Sequence, residues 1–255
     1  MRSVIVAYSG GVDSALLVQA ARDALQGEGT KLLAVTARSS TYPETELSSA
    51  VELARAIGVQ HRIIESEELD IPGFADNTKE RCFYCKGELF GILTQIAKDE
   101  GYAAVCDGAN ADDVDDYRPG RKAAQELGVR SPLIEAGMTK EDIRHHARRL
   151  GLPNWDKPSA ACLASRFPYG EKITAEKLKR VEQAEAILKS AGFRQLRVRD
   201  HGGMARIEVA REDIVRLAEL APSLSPLIKE LGFNYVTVDM EGYRTGSLNL
   251  FHKKP

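Results

Sequence analysis

The chain has 255 residues, of which 43% are hydrophobic and 28% charged, and its formal net charge at pH 7 is −2. This is the profile of an ordinary soluble protein with room for one large or two modest cores, and we expect two domains. The near-zero charge excludes an overall attraction to nucleic acid or an anionic membrane, so a local cluster must hold any anionic ligand.

The sequence contains no run of about 18 apolar residues and no signal-peptide pattern at its N-terminus. We therefore expect a cytoplasmic protein without a membrane partner. The four cysteines are too few for a disulfide framework in a chain of this length. In a reducing compartment a close cysteine pair favours a metal, a cluster or redox chemistry.

The first part of the chain alternates short apolar runs with segments of helical period. This alternation predicts an α/β domain with a doubly wound parallel sheet over residues 1–170. The predicted strands are residues 4–8, 31–36, 61–64 and 103–106, and the predicted helices are 15–25, 43–57, 89–97, 121–127 and 139–150.

Between residues 151 and 172 the helical period fails, because prolines interrupt it, yet the segment is rich in reactive and apolar side chains. A loop of this length inside a compact chain favours function. The rhythm then changes and predicts a small α+β domain over residues 171–255 for substrate binding or oligomerisation. Its predicted helices are 174–191 and 211–220, and its predicted strands are near 195–199, 205–209 and 235–238.

A glycine-rich loop follows the first predicted strand. Adjacent glycines let the backbone present N–H groups to an anion, and the next helix adds the positive end of its dipole. The loop is neither a Walker A motif nor a dinucleotide fingerprint. We predict that it binds phosphate through Ser9, Gly10, Gly11, Val12, Asp13 and Ser14.

Within this phosphate loop, the hydroxyls of Ser9 and Ser14 are candidate donors to phosphate oxygens. Asp13 either caps the helix or helps to organise a magnesium ion. A second acidic loop, residues 107–113, also follows an apolar strand. Strand ends of this kind lie at one edge of a parallel sheet, so Gly108, Asn110 and Asp113 are candidates for nucleotide contacts and magnesium ligands.

Cys82 and Cys85 have the spacing of two ligands to one metal or cluster, and neighbouring cations favour thiolate. Cys162, in the irregular segment, is a candidate third ligand, whereas Cys106 lies in a strand and is interpreted as a small buried hydrophobe. Three thiolates favour a 4Fe-4S cluster with one open iron. The alternatives are a zinc site completed by His145 and His146, or Cys162 acting alone as nucleophile or sulfur donor.

Seven motifs together resemble the LarE family of PP-loop ATP pyrophosphatases. The resemblance covers nearly the whole chain and is strongest at the segments around Cys162 and Arg197. The motifs are SGGVDS, ERCFYCK (80–86), DGANADD (107–113), DYRPG (116–120), GVRSPL (128–133), WDKPSAACLASRFPYG (155–170) and RVRDHG (197–202).

The resemblance implies an ATP-dependent sulfur transferase of nickel-pincer nucleotide cofactor synthesis. Its substrate would be pyridinium-3,5-biscarboxylic acid mononucleotide. ATP, with Mg2+, would adenylate a ring carboxylate, pyrophosphate would leave, and sulfur would then replace AMP. One branch of the family gives up the sulfur of the residue that matches Cys162, whereas members with three cysteines hold a 4Fe-4S cluster, as the pattern here implies.

The family match also implies that Arg197 and Arg199, which alternate on a strand, hold the substrate phosphate. Ser165 and Arg166 are candidates for contacts with pyrophosphate or the acyl-adenylate, so we group them with Cys162 and Asp13 as catalytic candidates. Members of this family are expected to assemble as homo-oligomers, and a sulfur donor or cysteine desulfurase is the expected protein partner.

Three other functions use a PP-loop or bind ATP. A tRNA thiolase also combines a PP-loop with cysteines, but the near-neutral charge disfavours a nucleic-acid partner. Amidating enzymes such as NAD or GMP synthetases would leave the cysteines without a role. A nucleotide sensor would bind ATP without cleaving it.

Overall fold

The structure is a computed structural model that describes residues 2–114, 119–158 and 161–244. Part of the DYRPG motif, residues 116–118, and Ser159 and Ala160 of the long predicted loop lie outside the described residues. The packing divides the chain into two compact units, the first formed by Met1–Phe74 and Lys79–Ala160, the second by Ala75–Thr78 and Ala161–Pro255.

The first unit contains a parallel sheet of four described strands in the order β3-β2-β1-β4. The strands are β1 (Ser3–Ala7), β2 (Lys31–Arg38), β3 (Gln60–Glu65) and β4 (Ala104–Cys106). The helices are α1 (Val12–Ala24), α2 (Glu44–Ile57), α3 (Arg81–Glu100), α4 (Pro119–Glu126), α5 (Pro132–Glu135) and α6 (Lys140–Arg149). The predicted doubly wound parallel sheet is confirmed.

The two faces of this sheet pack against different helices. Side chains alternate between the faces of a strand, so Val4 and Val6 join one core with α1 and α6. Ile5, from the same strand, joins the opposite core with α3. Burial on both faces explains why β1 is a continuous apolar run rather than an alternating one.

The second unit is built on a three-stranded mixed sheet in the order β5-β6-β7. Its strands are β5 (Leu196–His201), β6 (Met204–Val209) and β7 (Tyr235–Val238), and its helices are α7 (Ala175–Ser190) and α8 (Ile214–Glu230). Strands β5 and β6 are antiparallel, whereas β6 and β7 are parallel. This is the small α+β architecture expected from the sequence.

Two helices are longer than the sequence predicted. Helix α3 begins at Arg81, two turns before the predicted start, because Gly87 and Gly91 obscure its helical pattern. Helix α8 continues past the predicted end at residue 220 and contains Pro222 and Pro226. Its apolar side chains at Leu217, Leu224 and Ile228 are buried, at about 1.5–3 kcal/mol each, and this burial offsets proline's low helix propensity.

Residues 161–170 pack with the second unit, whereas the sequence analysis assigned them to the first domain. The physical reason is a set of contacts within the second unit. Arg166 forms a buried ion pair with Glu185 of α7, and the Asn77 amide donates to the carbonyls of Phe167 and Pro168. Among the described helices, none is long and apolar enough to cross a membrane.

Candidate functional site

The phosphate loop, residues 9–14, joins the end of β1 to the first turn of α1. Gly10 adopts the left-handed conformation with φ of +63°, and Gly11 is the N-cap of α1 without a side-chain cap. The first N–H groups of a helix have no partner within the helix, so the start of α1 is suited to an anion. Ser9 is exposed, whereas Ser14 is buried and its hydroxyl donates to the Gly11 carbonyl.

Distant side chains hold the backbone of the phosphate loop. The Tyr42 hydroxyl donates to the Ser9 carbonyl at 2.7 Å, and the Asn154 amide donates to the Gly10 carbonyl at 3.0 Å. Both bonds engage carbonyl oxygens, the groups that would repel a phosphate. The sequence analysis missed both residues because 33 and 144 positions separate them from their partners, beyond the reach of a local pattern.

The acidic loop, residues 107–113, lies directly against the phosphate loop. A Cβ at Gly108 would stand 3.0 Å from the Ser14 backbone nitrogen, so glycine permits this close approach. The amide of Asn110 donates to Asp13 at 3.2 Å. Asp113 is buried and accepts the Asn110 N–H in a capping box. The structure therefore brings the two predicted loops together.

Asp13 does not cap α1. Its carboxylate instead accepts from the Lys140 ammonium at 2.5 Å and from the Asn110 amide. Lys140 is the first residue of α6, and the sequence analysis did not identify it. The Thr139 capping box that it did identify places this lysine, and that box is confirmed.

The cysteine pair lies on the first turns of α3. Cys82 is exposed and Cys85 is half-buried. The Cys85 thiol donates to Glu68 at 3.7 Å, and burial raises the pKa of the Glu68 carboxyl. Residues three apart on a helix share a face, so Cys82 and Cys85 present two sulfur ligands on one side.

Cys106 is buried in β4, and burial raises the pKa of its thiol to about 11. The interpretation of Cys106 as a small hydrophobe is confirmed. His145 and His146 stack edge-to-face on α6. In residues 2–114, 119–158 and 161–244, no three Cys, His, Asp or Glu side chains are gathered as metal ligands, so the zinc alternative has no support there.

Cys162, in the second unit, begins a short 3-10 helix that ends at Arg166. Its side chain is exposed, and its sulfur accepts the Ala164 N–H at 3.3 Å. The Arg166 guanidinium donates to the Ser165 hydroxyl at 2.9 Å. Arg166 is buried and pairs with Glu185 through two hydrogen bonds of 2.8 and 3.0 Å. Arg166 therefore fixes the backbone that carries Cys162.

Arg197 and Arg199 share one face of β5 and are both buried. Arg199 forms two hydrogen bonds of 3.1 and 2.9 Å with Glu208 of β6. The guanidinium of Arg197 lies 5.1 Å from the centre of the Tyr243 ring. Burial lowers the pKa of Arg197, and the nearby charge of Arg166 lowers it further.

We call Arg166, Arg197 and Arg199 the arginine cluster. Its three cations are matched by two buried carboxylates, Glu185 and Glu208. This excess of positive charge in a buried setting is suited to an anion. The sequence analysis missed both carboxylates, although the antiparallel register that pairs Arg197 with Glu208 is the signal for the second.

Comparisons with known proteins place this arrangement among relatives. The chain is 38% identical over 249 residues to pyridinium-3,5-bisthiocarboxylic acid mononucleotide synthase of Lactiplantibacillus plantarum, covering 98% of this chain and 90% of that protein. It is 45% identical over 248 residues to an uncharacterized protein of Synechocystis, covering 96% of this chain and 91% of that protein. No family model matches the sequence.

Among solved structures, the chain is similar to NMN synthetase from Francisella tularensis. The TM-score is 0.47 with 17% sequence identity, and the similarity covers 62% of this chain and 66% of that one.

Proposed function

The chain belongs to the LarE family, and from that membership we propose that it is an ATP-dependent sulfurtransferase acting on pyridinium-3,5-biscarboxylic acid mononucleotide. The observation that carries the proposal is the phosphate loop, whose carbonyls are held back by Tyr42 and Asn154 and whose end carries Asp13. Such a loop holds the phosphates of ATP while a carboxylate is activated.

In the first step, a ring carboxylate oxygen attacks the α-phosphorus of ATP. The bond from that phosphorus to the bridging oxygen of the β-phosphate breaks, and pyrophosphate leaves. N–H groups of the phosphate loop and the Ser9 hydroxyl would hold the phosphates. A magnesium ion, when bound, neutralises phosphate charge, and Asp13 presents the oxygen ligands that this ion takes.

In the second step, sulfur attacks the activated carboxyl carbon, the bond from carbon to the AMP oxygen breaks, and a thiocarboxylate forms. The carboxylate oxygen is a poor leaving group by itself, and its adenylation makes this substitution feasible. The substrate phosphate would bind the arginine cluster, because planar guanidinium groups match phosphate oxygens.

We propose that the sulfur is carried by a 4Fe-4S cluster held by Cys82, Cys85 and Cys162. The donor set fits, since thiolates are the usual ligands of such clusters and Cys82 and Cys85 share one helix face. The cluster would supply an open iron for an extra sulfide. In the alternative, Cys162 forms a thioester and then loses its sulfur by elimination, which leaves dehydroalanine after a single turnover.

Iron analysis of anaerobically purified protein separates the two sulfur sources. We expect about four irons per chain, the number in a 4Fe-4S cluster, and repeated turnover when sulfide is supplied. Cys82→Ala should lose the iron and the transfer activity, whereas Cys106→Ala, at the buried cysteine, should keep both. Iron-free protein that turns over once and loses the mass of one sulfur would establish the sacrificial route instead.

The partners remain part of the same proposal. A sulfur donor or cysteine desulfurase would reload the sulfur, and the chain would act as a cytoplasmic homo-oligomer. We assign binding of the substrate phosphate to the second unit because it contains the arginine cluster.

A further inference from the structure

We propose that Lys140 is a pyrophosphate-binding residue of the adenylation step and that Asp13 is its counter-ion before the nucleotide binds. This inference rests on the proposed function, because it assigns a role within the ATP-cleaving reaction. Lys140 lies outside the glycine-rich and acidic motifs that identify the nucleotide site.

The start of α6 is fixed in place by several hydrogen bonds. Thr139 and Asp142 form a capping box, and the backbone N–H of Lys140 donates to the Asp112 carboxylate at 2.9 Å. The Ala111 N–H donates to the Met138 carbonyl at 2.8 Å. The acidic loop and the start of α6 are therefore tied together, and the Lys140 side chain begins from a rigid point.

From that point the Lys140 ammonium reaches the phosphate loop. Its nitrogen lies 2.5 Å from one carboxylate oxygen of Asp13, and the Asn110 amide donates to the other oxygen at 3.2 Å. The Lys140 side chain is 30% exposed and that of Asp13 is 21% exposed. The pair thus stands at the anion-binding start of α1 and remains open to solvent.

The chemistry of the two groups favours a phosphate ligand. An ammonium has three donors, so Lys140 can keep Asp13 and still donate to a phosphate oxygen. Its flexible four-carbon stem allows the small movement that this requires. When the α–β bond of ATP breaks, negative charge builds up on pyrophosphate, and a cation placed beside it stabilises that charge.

A structural role alone is a weaker explanation of this ion pair. Partly exposed ion pairs contribute little to folding. Removal of the ammonium should therefore affect the reaction much more than the stability, and this difference separates a binding role from a structural one.

The test compares Lys140→Met and Lys140→Arg with a matched control, Lys177→Met. Lys177 pairs with Glu171 at 2.8 Å, with 28% and 21% of the two side chains exposed, in the second unit. We expect kcat for pyrophosphate release to fall about 100-fold in Lys140→Met, as when one transition-state donor is lost. Lys140→Arg should recover most of this loss, and the Lys177→Met protein should match the wild type.

Binding of inorganic pyrophosphate, measured by calorimetry, gives a readout that does not depend on turnover. We expect Lys140→Met to weaken this binding at least about tenfold, the effect of losing one charged hydrogen bond, with an unchanged melting temperature. Wild-type pyrophosphate affinity in Lys140→Met would overturn the inference, as would equal losses of stability and affinity. If the wild type releases no pyrophosphate, the proposed function fails, and the binding comparison still decides the role of Lys140.

Discussion

Gly10 shows how closely one residue of the phosphate loop is specified. Its φ is +63°, and a Cβ there would lie 2.8 Å from the Cβ of Ala50 in α2. Gly101 has a similar φ of +71°, but a Cβ there would meet nothing within 4 Å. The two positions separate the effect of backbone conformation from that of a steric clash.

We expect Gly101→Ala to lower the free energy of unfolding by about 1–2 kcal/mol, the strain of a left-handed alanine. Gly10→Ala should lower it by about 3 kcal/mol or more, since the clash with α2 adds to that strain. Urea unfolding of both variants measures the difference. Equal losses would show that α2 does not constrain the loop.

The Arg166–Glu185 pair makes the stability of the second unit depend on pH. Burial by itself raises the pKa of Glu185, but the Arg166 guanidinium outweighs burial and holds this pKa below its usual value. A carboxyl with a lowered pKa stabilises the fold above its unfolded-state pKa of about 4.3 and loses that contribution as pH falls through the folded-state pKa.

Glu185→Gln should therefore remove part of the stability loss seen below about pH 4.3. At pH 7 it should destabilise the protein by about 3–5 kcal/mol, because Arg166 would stay buried without its carboxylate. Thermal unfolding across pH measures both effects. Glu100→Gln, at an exposed pair with Arg62, is the control and should change little; an equal effect there would contradict this account.

At the scale of structural elements, Asn77 joins the segment 75–78 to the segment that follows Cys162. It is fully buried with φ of 53°. Its amide donates to the carbonyls of Phe167 and Pro168, and its own carbonyl accepts the Gly170 N–H. Asparagine suits this position because its side chain tolerates the left-handed conformation better than most residues do.

Asn77→Gly keeps the backbone conformation but loses the side-chain hydrogen bonds, so we expect a loss of about 1–2 kcal/mol. Asn77→Ala should lose about 1–2 kcal/mol more, because alanine also strains the backbone. Chemical unfolding gives both values. A glycine variant less stable than the alanine variant would refute the conformational argument.

Sequence periodicity located most of the elements but not all of their ends. Strand β1 and helix α2 were predicted within one residue, since apolar runs and a glycine stop mark them directly. The start of α3 and the extension of α8 depend on tertiary burial that overrides local propensity. Local pattern therefore specifies which elements form, and packing decides where they end.

At the scale of the whole molecule, the same distinction holds for the functional site. The phosphate loop and acidic loop are continuous motifs, and their approach follows from the common edge of a parallel sheet. Tyr42, Asn154 and Lys140 act on the phosphate loop from far along the chain. Their roles depend on three-dimensional packing that a single sequence does not display.

The overall charge distinguishes a small-molecule enzyme from a tRNA thiolase. With a net charge of −2, the chain lacks the excess of cations that neutralises a phosphate backbone. We expect no retention of tRNA in a filter-binding assay at about 150 mM salt, a concentration at which nonspecific nucleic-acid binding is already weak. Tight retention at that salt would revive the thiolase function.

The most direct test of the central claim is an anaerobic assay with ATP, Mg2+, sulfide and pyridinium-3,5-biscarboxylic acid mononucleotide, with products identified by mass spectrometry. The account predicts AMP, pyrophosphate and thiocarboxylate groups in equal amounts, each thiocarboxylate carrying one sulfur in place of one oxygen. Release of ADP and phosphate, or formation of an amide when ammonia replaces sulfide while no thiocarboxylate appears, would contradict it.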